Sequence, residues 1–223
     1  MNAHADPTQT NATRRYRGQS ISELRNERGR RLQETAIRLI GREGYANVPI
    51  DRLCTQAHIA TRHFYEHFSS REQMLTVLSD RFFEQALTLI GETVRNSPQD
   101  DPVTTTIDTA RAFARHCMSH PDHARLALIE TVGVSRAMEQ HRRQVIHRFA
   151  DMVERIARGL VASNILRDGD YRMTAIALVG GTNELMVEWL SGTTEQSAEQ
   201  MERHVASFFR ALLTGGRMLE NRD

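Results

Sequence analysis

The sequence contains no lysine. All 29 of its basic Lys+Arg residues are arginine, set against 28 Asp+Glu in 223 residues. A GC-rich genome is one origin of such a bias. Recognition of phosphates and base edges is another, because the planar guanidinium donates two parallel hydrogen bonds where an ammonium offers a point charge. Cysteine is nearly absent. Cys54 and Cys117 are far apart and each falls in a helical pattern, which argues against a disulfide framework and for a reducing, cytoplasmic setting. No run of about 18 apolar residues occurs, so no membrane-spanning helix is expected. The polar opening, MNAHADPTQTNATRRYRG, has none of the apolar stretch of a secretory signal. Proline is scarce, with five in the chain, and few segments alternate as half-buried strands do. The chain is expected to be all-α. No Gly-rich phosphate loop, His-Glu-x-x-His or Gly-x-Ser-x-Gly motif is present, so catalysis finds no support and no cofactor is expected.

What is there is arginine, unevenly spread. Residues 1–82 hold 13 Arg against 9 acidic residues, and residues 83–223 hold 16 against 19. The first part suits an anionic partner, although a solvated surface gives the same count. Residues 1–19 are polar, with Pro7 and Gly18, and read as a disordered arm. Between Arg14 and Arg31 stand seven Arg and two Glu. That run is either a solubilising tail or a basic arm laid on DNA through Arg14, Arg15 and Arg17.

Ser20 followed by Glu23 is a capping-box pattern that starts a helix. Leu32, Ala36, Leu39 and Ile40 then share one helical face, and Gly44 closes it. Pro49 suits the first turn of a second, short helix with Ile50, Leu53, Cys54 and Ala57 inward. The break His58-Ile59-Ala60 leads to a third short helix at 61–67. Ser69-Ser70 restart the chain, with Arg71 and Glu72 opening a long helix over 71–95. NSPQDDP, 96–102, is the clearest linker. Helices are predicted beyond it at 104–119, 122–132, 135–163, 170–191 and 195–214. Helices as short as the second and third are marginal alone and must pack together. Ile59, Leu53, Phe64 and Phe68 should form their core, leaving Thr61, Arg62, His63 and Glu66 outward. A short exposed helix carrying hydroxyl, guanidinium and imidazole groups after a tight turn has what a major-groove reader needs.

At this point residues 32–78 resemble the DNA-binding domain of the tetracycline-repressor (TetR) family of bacterial regulators. The run GYANVPIDRLCTQAHIATRHFYEHFSSREQML carries the likeness, with Tyr65-Glu66-His67-Phe68 in the place of a Tyr-x-x-Phe motif and Ser70-Arg71-Glu72 in the place of Ser-Lys-Glu. The resemblance implies phosphate contacts by Tyr65, His67 and Arg71, base reading by Thr61, Arg62 and His63, and core roles for Phe64 and Phe68. A bidentate Arg62–guanine contact would contribute ~1–3 kcal/mol of discrimination. Three positions depart from the family pattern. Pro49 replaces a capping Thr, His58 a turn Gly, and Ala60 a capping Ser, which would shift the cap of the third helix to Thr61.

The resemblance divides the chain into an arm (1–19), a helix-turn-helix head (20–70) and a helical effector-binding and dimerisation domain (71–223). It implies a homodimeric repressor released from a palindromic double-stranded operator by a small-molecule effector. An activator or protein-binding adaptor with the same head is the alternative. Gly180-Gly181 inside an apolar helix marks a close helix approach, either across a dimer built from 170–191 and 195–214 or within one subunit. Phe83, Phe113, Cys117, Ile129, Met152 and Met186 are candidate walls for a mostly apolar effector, and read equally as core. The run HCMSHPDH, 116–123, puts His116 and His120 one turn apart beside Cys117 and His123. Pro121 breaks that helix, so the histidines are read as surface groups beside a turn and no metal is expected. Cys54 and His58 lack any oxyanion donor and are not read as a nucleophile and its base.

Overall fold

The computed structural model describes residues 15–16, 19–97 and 101–218. β1 (Arg15–Tyr16) pairs antiparallel with β2 (Gln19–Ser20), Arg15 opposite Ser20 and Tyr16 opposite Gln19. The arm expected to lack regular structure is therefore paired at these residues, while Arg14 and Arg17 lie outside the described ones. All other regular structure among the described residues is helical.

α1 (Ile21–Glu43) starts directly after β2 and runs unbroken. Leu32, Ala36, Leu39 and Ile40 are buried along it, as their spacing predicts. It stops at Gly44, whose φ of 87° and ψ of 146° are open essentially to glycine alone. A single 3-10 turn, Tyr45–Asn47, leads to α2 (Ile50–Gln56), then α3 (Thr61–Tyr65). Pro49 is not the first helical residue but the N-cap of α2. It has extended backbone, and its carbonyl accepts from the Leu53 N–H at 3.1 Å. α4 (Arg71–Asn96) is capped by Ser70, whose hydroxyl oxygen accepts from the Gln73 N–H at 3.0 Å.

The body comprises α5 (Pro102–Ser119), α6 (Pro121–Leu128), α7 (Arg136–Ala162), α8 (Arg172–Ser191) and α9 (Ala198–Met218). Asp101 and Ser135 cap α5 and α7 through their side chains. α6 is shorter than the stretch predicted over 122–132. After Leu128 the chain turns, Gly133 takes a φ of 72°, and the Glu130 carboxylate accepts the Tyr45 N–H at 2.7 Å. No helix among the described residues is long and apolar enough to cross a membrane.

Two cores result. One gathers Leu32, Ile40, Leu53, Phe64, Phe68, Met74, Leu75 and Leu78, with Ile59 packed against it from the turn. The other gathers Phe82, Phe83, Ile90, Ile107, Phe149, Met186 and Val205. Fully burying one such side chain contributes roughly 1.5–3 kcal/mol. α4 serves both cores: its first two turns complete the head, and its later turns line the body. The division expected after residue 70 thus falls at the start of a helix common to both halves. α6 fastens the halves a second time. Leu126 enters the head core, and the Arg125 Nε donates to the Gly41 carbonyl at 2.7 Å while its Nη1 donates to the Leu190 carbonyl.

Candidate nucleic-acid interface and effector cavity

The backbone around α3 follows from what the turn demands. His58 sits at φ 53°, the left-handed conformation for which glycine is the ordinary occupant. Ala60 is the N-cap of α3 and brings no side-chain bond. The cap does not move to Thr61. That residue is the first of the helix, and its hydroxyl donates instead to Asp51 Oδ1 at 3.4 Å.

Arg62 is exposed and has no ion pair or hydrogen bond with any described residue. Tyr65 is 58% exposed although its ring edge packs on the buried Phe64. Thr61, Tyr65 and Arg71 meet in one shallow concavity with Pro49, Ile50 and Asp51. Arg71 is partly committed there. Its Nη1 donates to the Tyr45 and Val48 carbonyls at 3.2 and 3.1 Å, and its guanidinium stacks 4.1 Å above the Tyr45 ring. That arrangement pins the 3-10 turn to the start of α4 and leaves the other guanidinium nitrogens for an anion.

The two histidines of α3 and its C-terminal turn behave differently from the expectation of free contacts. His63 has a side chain 15% exposed and bonds Glu66 at 2.8 Å, which holds the Glu66 carboxyl below the usual range. His67 lies against Gly29 of α1, where a Cβ would stand 2.8 Å from its ring. Its Nε2 is buried without a partner, and burial followed by the nearby Arg25 charge pulls its pKa below the ordinary imidazole value. The structure therefore does not bring His67 to the patch formed by Thr61, Tyr65 and Arg71. Sequence reasoning also missed Arg25. Its Nη2 donates to the Glu66 carbonyl at 2.8 Å, placing a cation at the C-terminal end of α3. Arg30 and Arg31 pair with Glu27, and Arg30 also with Glu34, so part of the arginine run stabilises α1 itself.

In the body, α4, α5, α7, α8 and α9 enclose a narrow cavity of about 70 Å³. Of the six candidate wall residues, Phe83, Phe113 and Met152 line it. Cys117, Ile129 and Met186 do not. Cys117 and Met186 are fully buried in packed core, and Ile129 packs against its edge. The periodicity that marks an inward residue cannot say whether a neighbour or a void faces it. A second apolar cavity continues from the first past shared residues Thr106, Val153, Ile156 and Phe209 towards Leu166 and Tyr171. The residues of the 116–123 run are not surface groups throughout. His116 and His123 are buried and bond the Phe82 and Leu78 carbonyls of α4 at 3.2 and 2.8 Å. Burial lowers the pKa of both, that of His123 to about 4. Burial raises the Cys117 and Cys54 thiols, so neither is activated as a nucleophile.

Comparison with known proteins agrees with both halves. Residues 32–78 match the family of bacterial regulatory proteins, tetR family, and residues 107–213 match the tetracyclin repressor-like C-terminal domain. No curated protein sequence matches the chain. Among solved structures, a TetR-family transcriptional regulator of Syntrophomonas wolfei aligns with a TM-score of 0.75 at 19% identity, over 85% of this chain and 96% of that one. The fatty acid degradation regulator FadR of Bacillus halodurans aligns with a TM-score of 0.75 at 13% identity, over 84% and 95% of the two chains. FadR of Bacillus subtilis, solved in complex with stearoyl-CoA, aligns with a TM-score of 0.71 at 13% identity, over 83% and 98%. Such identities establish a common fold. With an N-terminal DNA-binding match, a C-terminal match and the helical architecture in agreement, the chain belongs to the TetR family of bacterial transcriptional regulators.

Proposed function

We propose that the protein is a homodimeric repressor that leaves a two-fold operator when a small, mostly apolar molecule enters the body cavity. One observation carries this reading: α4 holds the reading head through Met74, Leu75 and Leu78 and walls the cavity through Ser79, Phe83 and Ile90. A ligand that spreads the cavity moves the helix on which the head is built, and so shifts the balance between DNA-binding and released states. Arg62 is the base reader, with Thr61 beside it. Tyr65 and Arg71 take phosphates. His63 closes the last turn of α3 through Glu66, His67 seats that turn against Gly29 of α1, and the arm with Arg14, Arg15 and Arg17 adds further phosphate contacts.

The dimer reading is supported by α8. The space beside Gly181 is filled by Phe208 of the same chain, which accounts for one glycine of the pair. Gly180 is exposed, and a Cβ added to it would meet nothing within 4 Å; Met173 and Ala177 lie exposed on the same face. A second copy laid along α8 and α9 would cover that stripe. FadR of Bacillus halodurans is by its name a fatty acid degradation regulator, and FadR of Bacillus subtilis was solved with stearoyl-CoA, which fits an effector with a long apolar part. A reporter fused to the protein's own upstream region tests the direction of control. Deleting the coding sequence should raise expression severalfold. A fall in expression would instead mark an activator, and no change would contradict regulation at that site.

A further inference from the structure

The cavity carries one charged residue among those that line it. Its polar-looking threonines are satisfied internally: Thr106, Thr109 and Thr182 donate to the Pro102, Thr106 and Leu178 carbonyls at 2.8, 2.7 and 2.8 Å, which leaves their methyl groups for the cavity. Arg142 differs. Its side chain is 21% exposed, its Nε donates to Glu139 Oε2 at 3.3 Å, and its two terminal nitrogens have no acceptor among the described residues. Glu139 is shared with Arg143 at 3.9 Å, so Arg142 does not have that carboxylate to itself. From Arg142 the lining follows α7 through Val145, Phe149, Met152 and Ile156, and the second cavity extends it to Leu160. That path is about 27 Å at 1.5 Å rise per residue. A cation at one end and an apolar corridor behind it define the shape and polarity of an occupant.

We infer that the effector is a long-chain amphiphile with a single anionic carboxylate, bound bidentately by the Arg142 guanidinium with its tail directed along α7 towards Tyr171. The fork geometry of guanidinium and carboxylate match, and a cation in an apolar wall is offset by an anion that reaches it. A free acid fits better than a coenzyme thioester, because one arginine does not neutralise several phosphates. Binding that enlarges this cavity displaces its walls, and one wall is α4. This inference rests on the body cavity being the effector site.

The test is equilibrium dialysis of labelled palmitate below its micellar concentration, with palmitate methyl ester and palmitoyl-CoA as competitors. It uses the full chain, Arg142→Gln and the cavity-filling Ala110→Phe. The intact protein should prefer the acid to the ester by tenfold or more. Arg142→Gln should lose that preference while still binding the ester, and Ala110→Phe should lose both ligands. Equal binding of acid and ester, or a preference that survives Arg142→Gln, overturns the assignment. So does palmitoyl-CoA binding more tightly than the acid, or no binding at all. Each preparation is also assayed for binding to the selected operator without ligand. Operator binding with no palmitate binding sinks this inference alone, whereas loss of operator binding in the intact protein sinks the regulatory reading beneath it.

Discussion

Gly41 of α1 lies so close to the backbone of α6 that a Cβ on it would stand 2.2 Å from the Asp122 carbonyl oxygen. The contact joins head to body and is ringed by polar bonds. Arg42 pairs with the Asp122 carboxylate at 2.9 Å, and Arg125 donates to the Gly41 carbonyl. Alanine is the better helix former by ~1 kcal/mol, yet Gly41→Ala should lower stability, because two backbones must separate, at a cost of about 1–3 kcal/mol. Gly159→Ala is the matched control. That glycine is inside α7 with nothing within 4 Å, so the change should be neutral or stabilise by up to ~1 kcal/mol. Urea unfolding of both variants decides the matter; a neutral Gly41→Ala would mean the helices are not held in contact.

Arg62 and Arg71 should fail in different ways. Arg62 is exposed and unpaired, so Arg62→Ala should leave stability unchanged and relax sequence preference at one position of each half-site, by ~1–3 kcal/mol. Arg71 bonds two carbonyls of the 3-10 turn. Arg71→Ala should weaken binding to all sequences alike, lower the salt slope by about one, and destabilise the head by ~1.5–3 kcal/mol through lost charged hydrogen bonds. Binding to a panel of single-base operator variants at several salt concentrations, beside unfolding curves, separates the two. The same pattern of loss from both changes would contradict the division of labour.

His58 holds a left-handed backbone that costs a non-glycine residue roughly 1–2 kcal/mol, less for His than for most. His58→Gly removes that strain and should stabilise the head by up to about 1 kcal/mol after glycine's larger entropy loss is counted. His58→Val, β-branched, should destabilise it. Thermal melts of the three proteins check the order; a less stable His58→Gly would mean that the imidazole makes a contact outweighing the strain.

His116 and His123 should make the fold acid-sensitive. Burial pushes the pKa of His123 down to about 4 and lowers that of His116, and the remaining charges acting on His123 are Arg81, His116 and His120, all of which lower it further. Unfolded, both titrate near about 6.5. Between these values the unfolded chain binds more protons than the folded one. Stability therefore rises with pH through the window and is lost as pH falls from about 6.5 towards 4. The slope is at most ~1.4 kcal/mol per pH unit for each histidine. Urea midpoints at pH 7.5, 6 and 5 should show it, and His123→Asn should flatten it. An unchanged slope in that variant would place the sensitivity elsewhere.

The helices of this protein were legible because their apolar residues recur with helical spacing, and that spacing does not depend on what lies opposite. Leu32, Ala36, Leu39 and Ile40 needed no knowledge of their partners to be assigned inward. The left-handed turn at His58 was legible through the family pattern, in which glycine holds the place. What could not be read was direction within the packed molecule. His67 faces Gly29 across an interface whose crossing angle no local pattern encodes. Phe83, Phe113 and Met152 border a cavity while Cys117, Ile129 and Met186 do not, although all six follow the same periodicity. Arg142 escaped notice for a related reason: an arginine in an early turn of α7 beside Glu139 reads as a solvated ion pair, and nothing local shows that its chain borders a cavity.

The most direct measurement is selection of genomic duplex fragments by the purified, ligand-stripped full chain at about 150 mM salt, followed by sequencing. The expected result is enrichment of a short inverted repeat with half-sites about one helical turn apart or slightly more, and its loss with Arg62→Ala at the symmetric position of each half. Recovery of fragments with no shared sequence, by a folded protein free of bound ligand, would contradict the claim that this head reads DNA.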